Sequence, residues 1–182
     1  MDITPEEIIT FWFSNEVKNH WFSSTPALDS EIRHKYEALW KKAVAGKLDD
    51  WGNNSTGSLA LVLILDQFPL NMYRNLAISF SSERKAVEIT CNAINKNLDR
   101  RLDYDKRAFL YMPLMHSEEL EKQDLSVKMY RDNHLKNSID FAEHHREIVR
   151  KFGRFPHRNR ILGRESTEEE LLYLSSEHAF LG

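Results

Sequence analysis

The residue types best suited to chemistry are concentrated in one basic segment, FGRFPHRNRILGRES, at positions 152–166. Arginine binds carboxylates and phosphates through paired hydrogen bonds and stacks on aromatic rings, so cations beside phenylalanines could form a rigid anion-binding wall. The candidate ligand-binding cations of this segment are Arg154, Arg158 and Arg164. The alternative is structural: the same arginines would bond backbone carbonyls at helix ends and form ion pairs with Asp66 and Glu118.

Two histidines are candidate catalytic groups, because an imidazole changes charge near neutral pH and can transfer protons. His157 lies within the basic segment, and His116 immediately precedes Ser117, the expected N-cap of a helix. Free N–H groups at a helix N-terminus can hold an anion, which would place a substrate beside His116. A histidine that is hydrogen-bonded at a helix junction would explain His116 without any catalytic role.

Asp66 and Gln67 directly follow the apolar run LALVLIL, which covers residues 59–65. An unpaired carboxylate in a buried helical turn is costly, so Asp66 needs a cation. Arg74, or one of the arginines at 154–164, is the expected partner. Asp66 and Gln67 are therefore either part of a structural ion pair or ligand-binding residues together with Arg74.

Other acidic positions have simpler explanations. Glu118 follows Ser117 and favours the positive end of the next helix, although it could also bind a ligand or orient a histidine. Residues 140–147 include metal-binding residue types, but charged pairs four residues apart on a solvated helix face account for them. We therefore predict no metal and no cofactor. The sequence also lacks the P-loop, dinucleotide-binding, zinc-protease and nucleophile-elbow motifs.

Composition and charge exclude several classes of protein. The net charge is −3, yet residues 150–164 carry six lysines or arginines and no acid, so the rest of the chain is clearly acidic. A single basic loop on an acidic body is unlike a nucleic-acid-binding face. The chain has one cysteine and an acidic N-terminus, and its apolar runs are far shorter than the roughly 20 residues of a spanning helix. These features predict a soluble cytoplasmic protein without membrane association.

The pattern along the chain predicts an all-α fold of about eight helices in a single domain, residues 1–182. Thr4-Pro5-Glu6-Glu7 and Ser166-Thr167-Glu168-Glu169-Glu170 are helix-start signals. Further helices are expected from near Asp29, Ser82, Ser117 and Ser138, with the last of these ending at Gly153. The apolar run at 59–65 could be helix or strand by periodicity, and the helical neighbours favour a helix that Pro69 ends.

Three motifs in this order resemble the bacterial family called domain of unknown function 924: LALVLILDQFPLNMYR (59–74), FLYMPLMHSEELEKQ (109–123) and FGRFPHRNRILGRES (152–166). The three aromatic residues at 11–13 and the aromatic pair at 21–22 fit the same family. The resemblance implies a TPR-like superhelical array of antiparallel helix pairs and no established activity. The family usually has arginine after DQFP, whereas this chain has Leu70.

Two functional hypotheses remain open from the sequence. In the first, the polar motifs form a pocket for a small anionic ligand, with proton-transfer or hydrolytic chemistry at His116 and His157. In the second, a TPR-like groove binds an acidic peptide or a C-terminal carboxylate. A purely structural role for every motif is the third interpretation.

Overall fold

The computed structural model describes residues 2–181, and within them it is all-α with no strand, as predicted. The helices are α1 Pro5–Trp12, α2 Asn15–Lys18, α3 Pro26–Val44, α4 Ser55–Val62, α5 Phe68–Met72, α6 Glu83–Asn95, α7 Tyr104–His116, α8 Leu120–Asp132, α9 Lys136–Phe152 and α10 Glu168–Leu174. The described residues form two compact units: unit 1 falls within Met1–Arg74 and Ile78–Pro113, and unit 2 within Asn75–Ala77 and Leu114–Gly182. The TPR-like arrangement and the single domain stay predictions.

Local sequence signals set most helix ends. Helix α1 begins with a capping box in which the Thr4 side chain accepts from Glu7 N and the Glu7 carboxylate accepts from Thr4 N. Helix α3 begins at Pro26, three residues before the predicted start at Asp29, because Thr25 caps it. Helix α9 ends where Gly153 takes a left-handed conformation with φ of 69°.

The core of unit 1 is built around the apolar run, which forms helix as predicted. Residues 57–65 are all buried, and α4 packs against α1 and α6. Trp12 contacts the rings of Phe68 and Phe109 at centroid distances of 5.6 and 5.7 Å. Such aromatic pairs add to the stabilisation that burial of their large apolar surfaces gives.

The prediction that Pro69 ends this helix is wrong. Helical backbone continues from α4 through a π-helical turn, Leu63–Gln67, into α5, which ends at Met72. Pro69 has no N–H to donate to the carbonyl of Leu65, four residues earlier. That carbonyl accepts a hydrogen bond from the Ser82 hydroxyl at 2.6 Å, so the helix tolerates the proline.

Unit 2 is formed by α8 and α9, which pack against each other, and by α10 with the 3₁₀ turn Pro156–Arg158. Its apolar cluster consists of Ile148, Val149 and Phe155, all buried. Three partly buried rings, those of Phe152, Tyr173 and Phe180, pack against this cluster. The basic segment of the sequence therefore lies against the core of its own unit.

Across residues 2–181, no helix has both the length and the apolar character that crossing a bilayer requires.

Candidate functional site

Glu118 ties the basic segment of unit 2 to the residues that precede α8. Its carboxylate accepts two hydrogen bonds from the Arg164 guanidinium, at 2.7 and 2.9 Å, and one from the backbone N–H of Phe155 at 2.8 Å. Arg164 also donates to the Asn159 side chain at 2.9 Å. Burial opposes ionisation of Glu118, but the hydrogen bonds from Arg164 and Phe155 prevail and lower its pKa.

The sequence suggested that helix capping explains Glu118. The structure gives another explanation, because the Glu118 carboxylate binds Arg164 and Phe155 N–H. The N-cap of α8 is Glu119, whose backbone N–H donates to the Ser117 hydroxyl at 3.2 Å. The structural alternative, in which an arginine of the basic segment pairs with Glu118, holds for Arg164.

A second ion pair joins the start of the basic segment to α10. Arg154 donates to both carboxylate oxygens of Glu170, at 2.7 and 2.9 Å, and to the carbonyl of Glu165 at 2.8 Å. Glu170 is only 2% exposed and also accepts from Asn159 and from Thr167 N. The hydrogen bond from Arg154 is the main reason that the pKa of Glu170 falls to about 2.

Two of the predicted ligand-binding cations, Arg154 and Arg164, therefore have glutamate partners within unit 2. These bidentate pairs fix the path of the loop between α9 and α10. A role for either arginine in ligand binding stays a prediction, because an anion would have to compete with a glutamate for the guanidinium.

Replacing Glu118 by glutamine tests how much this junction stabilises the protein. We expect a loss of about 2 kcal/mol in the free energy of unfolding, because a charged hydrogen-bond acceptor contributes roughly 1.5–3 kcal/mol. Urea unfolding monitored by circular dichroism measures the change.

The matched control for this variant is Glu119→Gln, since Glu119 is exposed and its side chain makes no capping hydrogen bond. It should change stability by less than about 0.5 kcal/mol. Equal effects of the two substitutions would contradict a special role for Glu118.

Beside these ion pairs lies a histidine–phenylalanine cluster, formed by His145, His157, Phe155 and Phe180. The Phe180 ring is 4.3 Å from the His145 ring and 4.9 Å from the His157 ring, measured between centroids. The Phe155 ring lies 5.4 and 5.6 Å from the same two imidazoles. The two histidines thus share two aromatic neighbours.

The two histidines differ in hydrogen bonding. Nδ1 of His145 lies 2.7 Å from the carbonyl of Phe141, one turn earlier in α9. Nδ1 of His157 is buried and has no hydrogen-bond partner among the described residues. Buried polar atoms are nearly always hydrogen-bonded, so this nitrogen is an unusual feature of the site.

Both imidazoles are held in the neutral form at physiological pH. Burial is the main cause of the low pKa of His145, about 3, and His116 lowers it further. Burial also dominates at His157, whose pKa is about 4, and the positive charge of Arg158 adds to the effect. Of the charged neighbours that act on His157, Glu118 raises its pKa while Arg158, His116 and Arg164 lower it.

The other two candidates of unit 2 surround this cluster. Arg158 is 6% exposed, and its guanidinium lies over the Phe155 ring, 4.7 Å from the centroid. His116 is half-buried and acts electrostatically on both His145 and His157. Unit 2 therefore contains six of the predicted site residues. Arg154 pairs with Glu170, and the other five, His116, Glu118, His157, Arg158 and Arg164, interact around His157.

The remaining candidates lie in unit 1. Asp66 and Gln67 are buried in the π-helical turn, where Gln67 Nε2 donates to Asp66 Oδ2 at 2.6 Å. Arg74, one of the expected partners of Asp66, instead donates to both carboxylate oxygens of Asp29, at 2.9 and 3.1 Å. A π-helical turn is a frequent feature of functional sites, so Asp66 and Gln67 stay candidates.

The sequence interpretation missed His145 and Phe180. The prediction of a solvated face for residues 140–147 is wrong for His145, since this residue is only 5% exposed. The signal was available: His145 continues the buried stripe of Ala142, Ile148 and Val149 at helical spacing. Among the described residues, no group of three or more His, Cys, Asp or Glu side chains is placed to bind a metal.

The described residues define an all-α protein whose polar candidates are organised around ion pairs and a histidine–phenylalanine cluster. The chain belongs to the family described as "Bacterial protein of unknown function (DUF924)", which matches residues 8–178. A solved structure, that of a protein of unknown function from Agrobacterium tumefaciens, is similar with a TM-score of 0.89 and 34% identity, covering 94% of this chain and 96% of that one. No curated protein matches the chain.

Proposed function

We propose that the protein binds a small anionic molecule at the histidine–phenylalanine cluster of unit 2, with His157 as the hydrogen-bonding anchor. The observation that carries the proposal is the buried Nδ1 of His157, which has no partner among the described residues. A ligand oxygen at this nitrogen would satisfy a polar atom that burial otherwise leaves unpaired.

The electrostatics of the cluster support an anion rather than a cation. Arg158, His116 and Arg164 lower the pKa of His157, so the potential that they create there is positive. Glu118 opposes them but is itself bonded to Arg164. An anion beside His157 would add a favourable charge interaction with the same groups.

Binding of an anion should also change the protonation of His157. Burial and positive neighbours favour the neutral imidazole in the free protein, and a bound carboxylate or phosphate favours the imidazolium. Between the pKa of the free imidazole and that of the bound imidazole, the anion would therefore bind together with a proton, and its affinity should weaken as pH rises through that range. This coupling is the elementary step that a proton-transfer or hydrolytic enzyme would use.

The test is an NMR titration of the histidine side chains with and without phosphate or acetate. We expect the pKa of His157 to rise from about 4 by at least about one unit at saturation, since one unit corresponds to a tenfold preference of the anion for the imidazolium form. Thermal unfolding supplies a second measurement: a ligand at 100 times its Kd adds roughly 2.7 kcal/mol, which raises Tm by about 5–10 °C.

Two variants isolate the site. His157→Gln should abolish the Tm increase, whereas His34→Gln, at an exposed position of α3, should retain it. An unchanged His157 pKa and an unchanged Tm across both anions would overturn the proposal. Binding restricted to acidic peptides, or to peptides with a free C-terminal carboxylate, would instead favour the peptide-binding alternative.

A further inference from the structure

Phe180 occupies the space between the imidazoles of His145, which is buried, and His157, which is partly buried. Its ring is tilted by 58° to the His145 ring and by 83° to the His157 ring, at centroid distances of 4.3 and 4.9 Å. The contact with His157 is edge-to-face, a favourable geometry for aromatic pairs, and the contact with His145 is tilted. The space beside His157 is therefore shaped for a flat ring.

The segment that carries Phe180, residues 175–181, is held by few contacts. Residues 175–178 are exposed, and the Phe180 backbone N–H donates to the Tyr173 hydroxyl at 2.9 Å. The Ser175 and Ser176 hydroxyls donate to the carbonyls of Leu172 and Tyr173 at 2.8 and 2.7 Å, and backbone turns such as Ala179 N to Ser176 O, at 3.2 Å, add local hydrogen bonds. The Phe180 ring is the part of the segment that packs on the apolar cluster. A segment held by local turns and one partly buried ring opens at a low free-energy cost.

We infer that residues 175–181 form a strap that can move away from the site. Phe180 fills the aromatic subsite when no ligand is bound, and the ligand is an anion that carries an aromatic ring. This inference rests on the proposed function and adds the ligand's second chemical feature and a mode of regulation. The ring of the ligand replaces the Phe180 ring, and its acidic group reaches His157.

Competition with the strap lowers the affinity of any such ligand. A ligand that binds only the open form has an apparent Kd equal to its intrinsic Kd divided by the fraction of molecules in which the strap is open. Loosening the strap should thus tighten the binding of aromatic anions. The affinity for small anions without a ring should change less, because such anions can reach His157 while the Phe180 ring stays in place.

The direct measurement uses the unmodified chain and phenylacetate. Displacement of the strap breaks the hydrogen bond between Phe180 N–H and Tyr173, so exchange of the Phe180 amide with solvent should accelerate when phenylacetate is added. Acetate at the same concentration is the control and should leave that exchange rate unchanged.

Tyr173→Phe loosens the strap while it keeps Phe180 in place. It removes the acceptor of the Phe180 N–H but retains the ring that packs on Phe152 at 5.2 Å. Loss of one hydrogen bond should tighten phenylacetate binding by about twofold to tenfold. Phe180→Ala should tighten it further, but the space left by the ring could bind any aromatic molecule, so Tyr173→Phe is the decisive variant.

The outcomes separate this inference from the proposed function. In one outcome, phosphate or acetate raises the His157 pKa, but phenylacetate does not accelerate Phe180 exchange and does not bind more tightly to Tyr173→Phe. The strap inference then fails and the proposed function stands. If no anion affects His157, both fail. Faster Phe180 exchange with phenylacetate and tighter binding to Tyr173→Phe would support the strap.

Discussion

Replacing Gly57 by alanine should destabilise unit 1 by more than about 3 kcal/mol, beyond the usual cost of overpacking a core. A Cβ atom at position 57 would lie 2.1 Å from the carbonyl oxygen of Trp51 and 2.8 Å from its carbonyl carbon. Both are backbone atoms of the 3₁₀ turn Asp49–Asn53, so no side chain can rotate to relieve the contact. Urea unfolding of the purified variant measures the loss.

Gly52→Ala provides the matched control, since Gly52 lies beside Trp51 in the 3₁₀ turn Asp49–Asn53. The nearest atoms to a new Cβ there are methyl carbons of Ile89 and Leu61, both at 3.8 Å, which is ordinary contact. We expect a change within about 1 kcal/mol, with stabilisation possible because alanine restricts the unfolded chain. If the two alanine variants were equally stable, the close approach at Gly57 would not be the cause.

Acid should destabilise the protein well before its carboxylates become protonated. The pKa values of His145 and His157 are depressed in the folded state to about 3 and about 4, while an unfolded histidine titrates near 6.5. Protons therefore bind preferentially to the unfolded chain, and stability that is present above pH 6.5 is lost as pH falls. For His145 alone, the loss between pH 7 and pH 5 is about 2 kcal/mol.

His145→Phe identifies the source of this dependence. Phenylalanine preserves an aromatic ring between Phe155 and Phe180 but cannot bind a proton. The variant should lose about 2 kcal/mol less than the parent between pH 7 and pH 5, as measured from urea unfolding at each pH. His34→Gln, at an exposed position, should retain the full dependence; equal acid sensitivity in His145→Phe would refute the assignment.

Most of the secondary structure could be predicted because its determinants are local. The capping boxes Thr4–Glu7 and Thr167–Glu170 each join two residues three positions apart in the sequence. Gly153 by itself predicts the end of α9. The passage of a helix through Pro69 could not be predicted in the same way. It depends on Ser82, whose hydroxyl donates a hydrogen bond to the carbonyl of Leu65, seventeen residues earlier in the sequence.

The site was predicted less completely, because one residue can serve two purposes. Glu170 completes the capping box of α10 and also binds Arg154, so a local explanation of its charge concealed its tertiary partner. The pairing of Arg164 with Glu118 was foreseen only as one alternative, because 46 residues separate them. The face of His145 was predicted wrongly, because its polar type favours solvent whereas its helical spacing places it on the buried side of α9.

The π-helical turn at Leu63–Gln67 has a consequence for how this chain can vary in length. Such a turn holds one residue more than an α-helical turn, and each α-helical residue advances the chain by about 100° around the axis. A turn of either kind completes about one circle around the axis, so deleting one residue there would convert the π-helical turn into an α-helical turn with little rotation of α5 relative to α4. The face of α4 that packs on α1 and α6 and the face of α5 that packs on α3 would therefore keep their directions. Loss of a residue within α4 would instead rotate the packing surfaces on its two sides by about 100° relative to each other.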